Sequence, residues 1–169
     1  MIGDKPIQNL KSKIDMIQFE QEWINGGASL GAAAGWAADE IRLVSELGFA
    51  LAEQGRNHEA ITIFEGLIAL APATTYFEVA LGALWLRENN PARALAHLNA
   101  ALAADPNDIP TRVNRGEVFL RLENYDGAKK DLKYVLRKRD KILTNNLLEQ
   151  CFTRARALLF TVERLSKSA

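Results

Sequence analysis

The strongest constraint on this chain is a repeat of 34 residues. Small residues and proline recur at that interval, at Gly48, Gly82 and Gly116, at Ala60, Ala94 and Ala128, and at Pro72 and Pro106. A repeat of this length is one supersecondary unit that buries its apolar face only by stacking on its neighbours. The sequence therefore predicts a stacked array of three units.

Each unit predicts two helices, a first helix A and a second helix B. We expect A helices over 41–54, 75–88 and 109–122, and B helices over 58–70, 91–104 and 125–139. The recurring glycine and alanine are small because helices A and B cross closely there, and larger side chains fill the space beside them at Phe64, Leu98 and Leu132. The prolines end the B helices, since proline cannot continue a helix.

Polar residues mark where several of these helices begin. Asparagine is a preferred N-cap, and we expect it to cap the B helices at Asn57, Asn90 and Asn124. Thr75 and Glu78 have the spacing of a capping box at the start of the second helix A. The third unit departs from the pattern, with Arg115 before its glycine and Asp140 in place of the closing proline.

Apolar stripes outside the repeats predict helices at both ends. Residues 1–40 are expected to form an N-terminal helical segment, in which Gly26 and Gly27 end one helix before a second one begins. Residues 41–140 hold the three repeats, and residues 141–169 hold a helix over 146–166. That last helix has an apolar stripe from Leu148 to Leu165. It is predicted to cap the array, with a dimerising coiled coil as the alternative.

The first predicted helix has a broad apolar arc. A helix that rests on one surface needs a narrower one, so we expect a homodimer contact or, equally, a simple N-terminal cap. The residues assigned to this contact are Ile14, Ile17, Phe19, Trp23 and Ile24.

Charge is balanced overall but not along the chain. Residues 1–111 carry a net charge of −7 and residues 112–169 a net charge of +7. A basic end can indicate a nucleic-acid partner, but Tyr134 is the sole aromatic residue in the run 129–141. Intramolecular balance and solvated helix faces are therefore favoured, and neither a nucleic-acid nor a membrane partner is expected. With Cys151 as its one cysteine, no membrane-length apolar run and no signal-like start, the chain is expected to be cytoplasmic.

The repeat pattern resembles the tetratricopeptide repeat, which implies an all-α superhelix of three helix-turn-helix repeats with terminal helices. A second pattern lies ahead of the repeats, over Trp23-Ile24-Asn25-Gly26-Gly27-Ala28-Ser29-Leu30, and continues into Leu47-Gly48-Phe49 and Tyr76-Phe77. It resembles the class II chaperones of type III secretion, the SycD/LcrH type. This resemblance implies a cytoplasmic chaperone that clasps an extended apolar segment of a translocator protein in its concave groove and dimerises through its N-terminal region.

The second, fifth, ninth and twelfth positions of each helix A are expected to be exposed in that groove. Most of them are apolar, which suits pockets for alternate side chains of an extended peptide, although some could instead belong to the core. The predicted client-binding residues are Phe49, Tyr76, Val79, Ala83, Leu86, Val113 and Leu120.

The sequence offers no constellation for catalysis. His58 and His97 lack partners at metal-ligand spacing, and Cys151 lies on an apolar stripe where a buried, inert thiol is expected. We therefore expect no enzyme activity, no metal and no cofactor. The alternative to a secretion chaperone is a scaffold or adaptor in another bacterial complex, which would use the convex face or the basic third repeat.

Overall fold

The helices of the repeats begin and end close to their predicted bounds. The structure is a computed structural model and describes residues 34–72, 74–139 and 146–167. Seven helices lie in these residues: α1 Ala38–Glu53, α2 Asn57–Leu70, α3 Thr75–Arg87, α4 Pro91–Ala104, α5 Ile109–Arg121, α6 Tyr125–Lys138 and α7 Asn146–Leu165. Helices α1, α3 and α5 are the A helices, and α2, α4 and α6 are the B helices. None of the described helices is long and apolar enough to cross a membrane.

The chain divides into two compact units, the first ending at Glu88 and the second beginning at Asn89. Helices α1 to α3 belong to the first unit, and α4 to α7 belong to the second. The division expected from the sequence, at residues 40 and 140, stays a prediction. The N-terminal helical segment lies outside the described residues, apart from its last seven, 34–40.

In the first unit, α2 packs between its two neighbours in sequence, α1 and α3. A methyl group at Gly48 of α1 would lie 3.0 Å from the ring of Phe64 on α2, which is too close for an unstrained contact. Phe64 and Ala60 are both fully buried. The close crossing predicted from the recurring glycine and alanine is therefore confirmed for this repeat.

In the second unit, α5 packs against α4 and α6, and α7 packs against both α5 and α6. A methyl group at Gly116 of α5 would lie 2.8 Å from Leu132 of α6. Helix α7 adds four side chains to the apolar core of this unit: Cys151, Phe152, Ala155 and Val162. The predicted stripe of the last helix is thus used within the chain as a cap, and Leu165 at its end remains 41% exposed.

Two positions after the last residue of each helix A, the backbone is left-handed, again at the 34-residue interval. These residues are Gly55, Asn89 and Glu123, with φ of 80°, 53° and 57°. The Arg56 amide then donates to the Leu51 carbonyl at 2.9 Å, and the Asn124 amide donates to the Phe119 carbonyl at 2.8 Å. This bond satisfies a carbonyl that the last helical turn leaves without a partner.

Two of the three predicted asparagine caps are confirmed. The Asn90 side chain accepts from the Arg93 amide at 3.2 Å, and the Asn124 side chain accepts from the Gly127 amide at 2.9 Å. The third is wrong, because α2 has Arg56 at its N-cap. Asn57 instead donates its side-chain amide to Glu88, at 2.7 Å.

The predicted capping box at the start of α3 is also wrong. The N-cap is Thr74, and its side chain makes no capping bond. Thr75 is the first residue of the helix, one position too late for the box. Helix α6 ends at Lys138, and Asp140 lies outside the described residues.

Candidate peptide-binding face

Four aromatic rings pack against one another in the first unit. The ring centroid of Phe49 on α1 lies 4.8 Å from that of Phe64 and 5.2 Å from that of Tyr76 on α3. Phe64 in turn lies 6.1 Å from Phe77. These separations fall in the range of favourable aromatic pairs. The four rings thereby join all three helices of the unit and hold Phe49 and Tyr76 side by side.

Most of the predicted client-binding residues are buried, and the expectation that they are exposed is wrong for five of the seven. The exposed fraction is 1% for Phe49, 7% for Val79, 3% for Ala83, 4% for Leu86 and 1% for Val113. The physical reason is clearest in α3, where eight of thirteen residues are buried and apolar residues lie on every side of the helix. A helical position indicates the direction of a side chain but not what lies opposite it.

Tyr76 and Leu120 are partly exposed, and they are the two predicted residues that offer surface to a partner. Burial raises the pKa of the Tyr76 hydroxyl above its usual range, because the ring environment disfavours the phenolate. The hydroxyl is therefore neutral at every physiological pH. Contact between a client and any of the seven residues stays a prediction.

At one position of helix A, the third repeat has a charged residue where the first two repeats have apolar ones. Glu117 of α5 stands 34 residues after Ala83 and 68 after Phe49. It accepts from Arg121, at 2.9 Å, and from Arg154 of α7. Arg154 also donates to Asn114 at 2.8 Å. These contacts fix α7 against α5 through charged groups on one side of the helix, in addition to the apolar core on the other.

A buried carboxylate explains the departure of the third repeat from the pattern. Asp131 of α6 is 1% exposed and accepts from Arg112 at 2.7 Å and from Arg115 at 2.6 Å. Arg112 also stacks on the ring of Tyr134, with 3.9 Å between the guanidinium carbon and the ring centroid. Sequence reasoning missed this cluster. The available signal was a pair of departures in one repeat, since Arg115 replaces Leu81 and Asp131 replaces His97.

Cys151, His58 and His97 are the candidate residues for chemistry that the structure describes. Cys151 is buried, and His58 is an exposed side chain with Nδ1 3.3 Å from Glu88. Within residues 34–72, 74–139 and 146–167, no group of three or more His, Cys, Asp or Glu could hold a metal ion. The five residues assigned to a homodimer contact lie outside the described part of the chain.

Helix pairs that recur at a 34-residue interval have the fold of the tetratricopeptide repeat. The family model described as "Tetratricopeptide repeat" matches residues 46–109. No curated protein has a detectably similar sequence.

Solved structures share the fold over most of this chain. A type III secretion complex from Aeromonas hydrophila aligns with a TM-score of 0.76 at 19% identity, covering 89% of this chain and 98% of that one. The Yersinia enterocolitica translocator chaperone SycD aligns with a TM-score of 0.70 at 18% identity, covering 80% and 99%. PcrH from Pseudomonas aeruginosa aligns with a TM-score of 0.68 at 23% identity, covering 75% and 94%. PcrH has also been solved with the chaperone binding region of PopD, and SycD in an alternative dimer.

Proposed function

We propose that this protein is a cytoplasmic chaperone of type III secretion translocator proteins. It binds an extended apolar segment of its client on the A-helix side of the repeats and catalyses no reaction. One observation carries the proposal: the fold agrees over 94–99% of the length of SycD and PcrH, and PcrH has been solved in complex with the chaperone binding region of PopD.

In the first unit, the client contacts the partly exposed ring of Tyr76, which packs against the buried ring of Phe49. Phe49, Val79, Ala83 and Leu86 are buried apolar residues of the A helices, and we call these four the apolar wall. In the second unit the client contacts Leu120, which packs against the core cluster that contains the buried Val113. In an open conformation that exposes these side chains, burying ~400 Å² of apolar surface contributes roughly 10 kcal/mol at ~25 cal/mol per Å². Ordering the client segment offsets much of this, which leaves a binding free energy suited to micromolar affinity.

The burial of the wall has a consequence for binding. Side chains that are 1–7% exposed offer almost no surface, so a client that reaches Phe49 or Leu86 must first displace what they pack against. We therefore expect the client to select a minor, more open conformation, which reduces the apparent affinity by the population of that state.

The homodimer belongs to the same proposal. It forms through the N-terminal apolar arc that contains Ile14, Ile17, Phe19, Trp23 and Ile24. The Ile17→Glu/Trp23→Glu variant is expected to lower the molar mass measured by light scattering to that of a monomer. An unchanged dimer mass would exclude this segment as the contact.

Copurification from the native host tests the proposed function against the scaffold alternative. A tagged chain is purified in ~100 mM and in ~500 mM NaCl, and its partners are identified by mass spectrometry. An apolar contact survives the higher salt, whereas a contact through the basic third repeat is screened. Retention of an apolar secreted protein in both buffers is the expected result. Recovery of folded complex subunits alone, lost at ~500 mM NaCl, would favour the scaffold and overturn the chaperone.

A further inference from the structure

The third B helix has a row of cations on its outward side. Lys130, Lys133 and Arg137 of α6 are exposed and follow one another at helical spacing, so they form one line along about 10 Å of the helix. We call these three residues the basic stripe. The apolar residues of the same helix, Ala128, Leu132 and Val135, are fully buried in the core of the unit.

The basic stripe is not neutralised within the described part of the chain. No carboxylate of those residues forms an ion pair with Lys130, Lys133 or Arg137. Other arginines nearby do have such partners. Arg112 and Arg115 pair with Asp131, and Arg139 pairs with Glu149 at 3.2 Å. Asp131 and Glu149 therefore serve other cations, and the exposed stripe has no ion pair among the described residues.

The other two repeats provide an internal comparison. The positions that correspond to the basic stripe are Thr62, Glu65 and Ala69 on α2, and Ala96, Asn99 and Ala103 on α4. All six are exposed as well, and none is a cation. Solvation of an outward helix face therefore needs no lysine or arginine in this array, and the stripe is a specific feature of the third repeat.

The residues around the basic stripe indicate which kind of partner it binds. No exposed apolar side chain lies among its residues on α6, so the helix has no means of inserting into a bilayer. The ring of Tyr134, the residue after Lys133 on α6, is covered by the Arg112 guanidinium and by the Lys138 ammonium at 5.2 Å. It therefore provides no platform on which a base could stack, which argues against single-stranded nucleic acid. A short line of cations without apolar or stacking groups fits a matching line of carboxylates.

We propose that the basic stripe docks an acidic helical segment of a partner protein, with carboxylates at the same i, i+3, i+7 spacing. This site is separate from the client-binding face, because the stripe residues are on the outward side of a B helix. It would let the protein contact an acidic partner while its A helices hold a client.

The test uses the full chain and a defined probe. The probe is a helical peptide with glutamate at i, i+3, i+7 and i+10, and its counterpart has glutamine at those positions. Binding is followed by amide NMR shifts in ~50 mM and ~300 mM NaCl. The stripe variant is Lys130→Gln/Lys133→Gln/Arg137→Gln. The matched control, Arg156→Gln/Arg164→Gln/Lys167→Gln, removes the same charge from exposed positions of α7 and the residues after it.

We expect the glutamate peptide to shift amides of α6, to bind at least about fivefold more weakly to the stripe variant, and to dissociate at the higher salt. The control variant should bind like the wild type. Equal binding of the glutamine peptide, or equal loss in both variants, would overturn the proposal. So would tighter stripe-dependent binding of a 12-base-pair DNA duplex or of phosphatidylserine vesicles at ~300 mM NaCl. A Tyr76 variant that loses its client should still bind the peptide, so this proposal and the proposed function fail independently.

Discussion

Backbone geometry at single residues leads to the first prediction. Glu123 lies two positions after the end of α5 with φ of 57°, a left-handed conformation that glycine adopts at Gly55 in the first repeat without steric cost. We expect Glu123→Gly to raise the free energy of unfolding by about 1 kcal/mol, measured from the midpoint of urea denaturation at unchanged slope. Gly55→Ala is the reciprocal control and should lower it by a similar amount. A destabilised Glu123→Gly protein would contradict the assigned turn.

Two helical glycines with different surroundings give a second, paired prediction. Gly66 of α2 is exposed and has nothing within 4 Å of an added methyl group. Gly66→Ala should therefore stabilise the protein by about 0.5–1 kcal/mol. At Gly116 the same methyl group would lie 2.8 Å from Leu132, so Gly116→Ala should destabilise it by about 1–3 kcal/mol. Equal effects in thermal unfolding would mean that α5 and α6 cross less closely than the structure has them.

The sequence predicted residues well where the repeat itself constrains them. Positions 48, 60, 64, 116, 128 and 132 were correctly assigned to helix crossings, because small and large residues alternate there at a fixed interval. Asn57 was misassigned, since its side chain reaches Glu88, 31 residues away, rather than the local backbone. Asp131 was missed for the same reason: its partners lie on another helix. Contacts between elements are not encoded in local spacing.

At the scale of the element, the last helix is the structural cap of the third repeat. Phe152 of α7 is 1% exposed and lies in the core, whereas Phe160 of the same helix is 68% exposed. We expect Phe152→Ala to lower the free energy of unfolding by about 3–5 kcal/mol, because it leaves a cavity in the core. Phe160→Ala removes the same side chain and should change it by less than about 0.5 kcal/mol. Similar losses in both variants, measured by urea denaturation, would mean that α7 does not cap the unit as described.

The sequence predicted the bounds of the A helices well but not the burial of their side chains. The bounds of α3 were predicted to within one residue, but Val79, Ala83 and Leu86 were expected to face solvent and are buried. The sequence of α3 is apolar on all sides, which is typical of a fully covered helix. An analysis of all the residues around the helix, rather than of four groove positions, predicts that these side chains are buried.

For the whole molecule, ion pairs within the second unit explain part of the uneven charge along the chain. The last 58 residues carry the net charge of +7. Several of their arginines are used inside the second unit, where Asp131, Glu117 and Glu149 accept from them. The basic stripe is among the cations for which no ion pair forms within the described residues. Intramolecular balance therefore accounts for Arg112, Arg115, Arg121 and Arg139, and the stripe is a solvated helix face, which the sequence also led us to expect.

The most direct test of the client-binding face is site-specific photo-crosslinking in the native host. A photoreactive phenylalanine at Tyr76 preserves an aromatic ring among Phe49, Phe64 and Phe77, and the same group at exposed Thr62 of α2 is the control. We predict that an apolar segment of a secreted protein crosslinks to position 76 and not to position 62. Crosslinks to the client that form only at position 62, or equally at both positions, would contradict the proposal that the A-helix side holds the client.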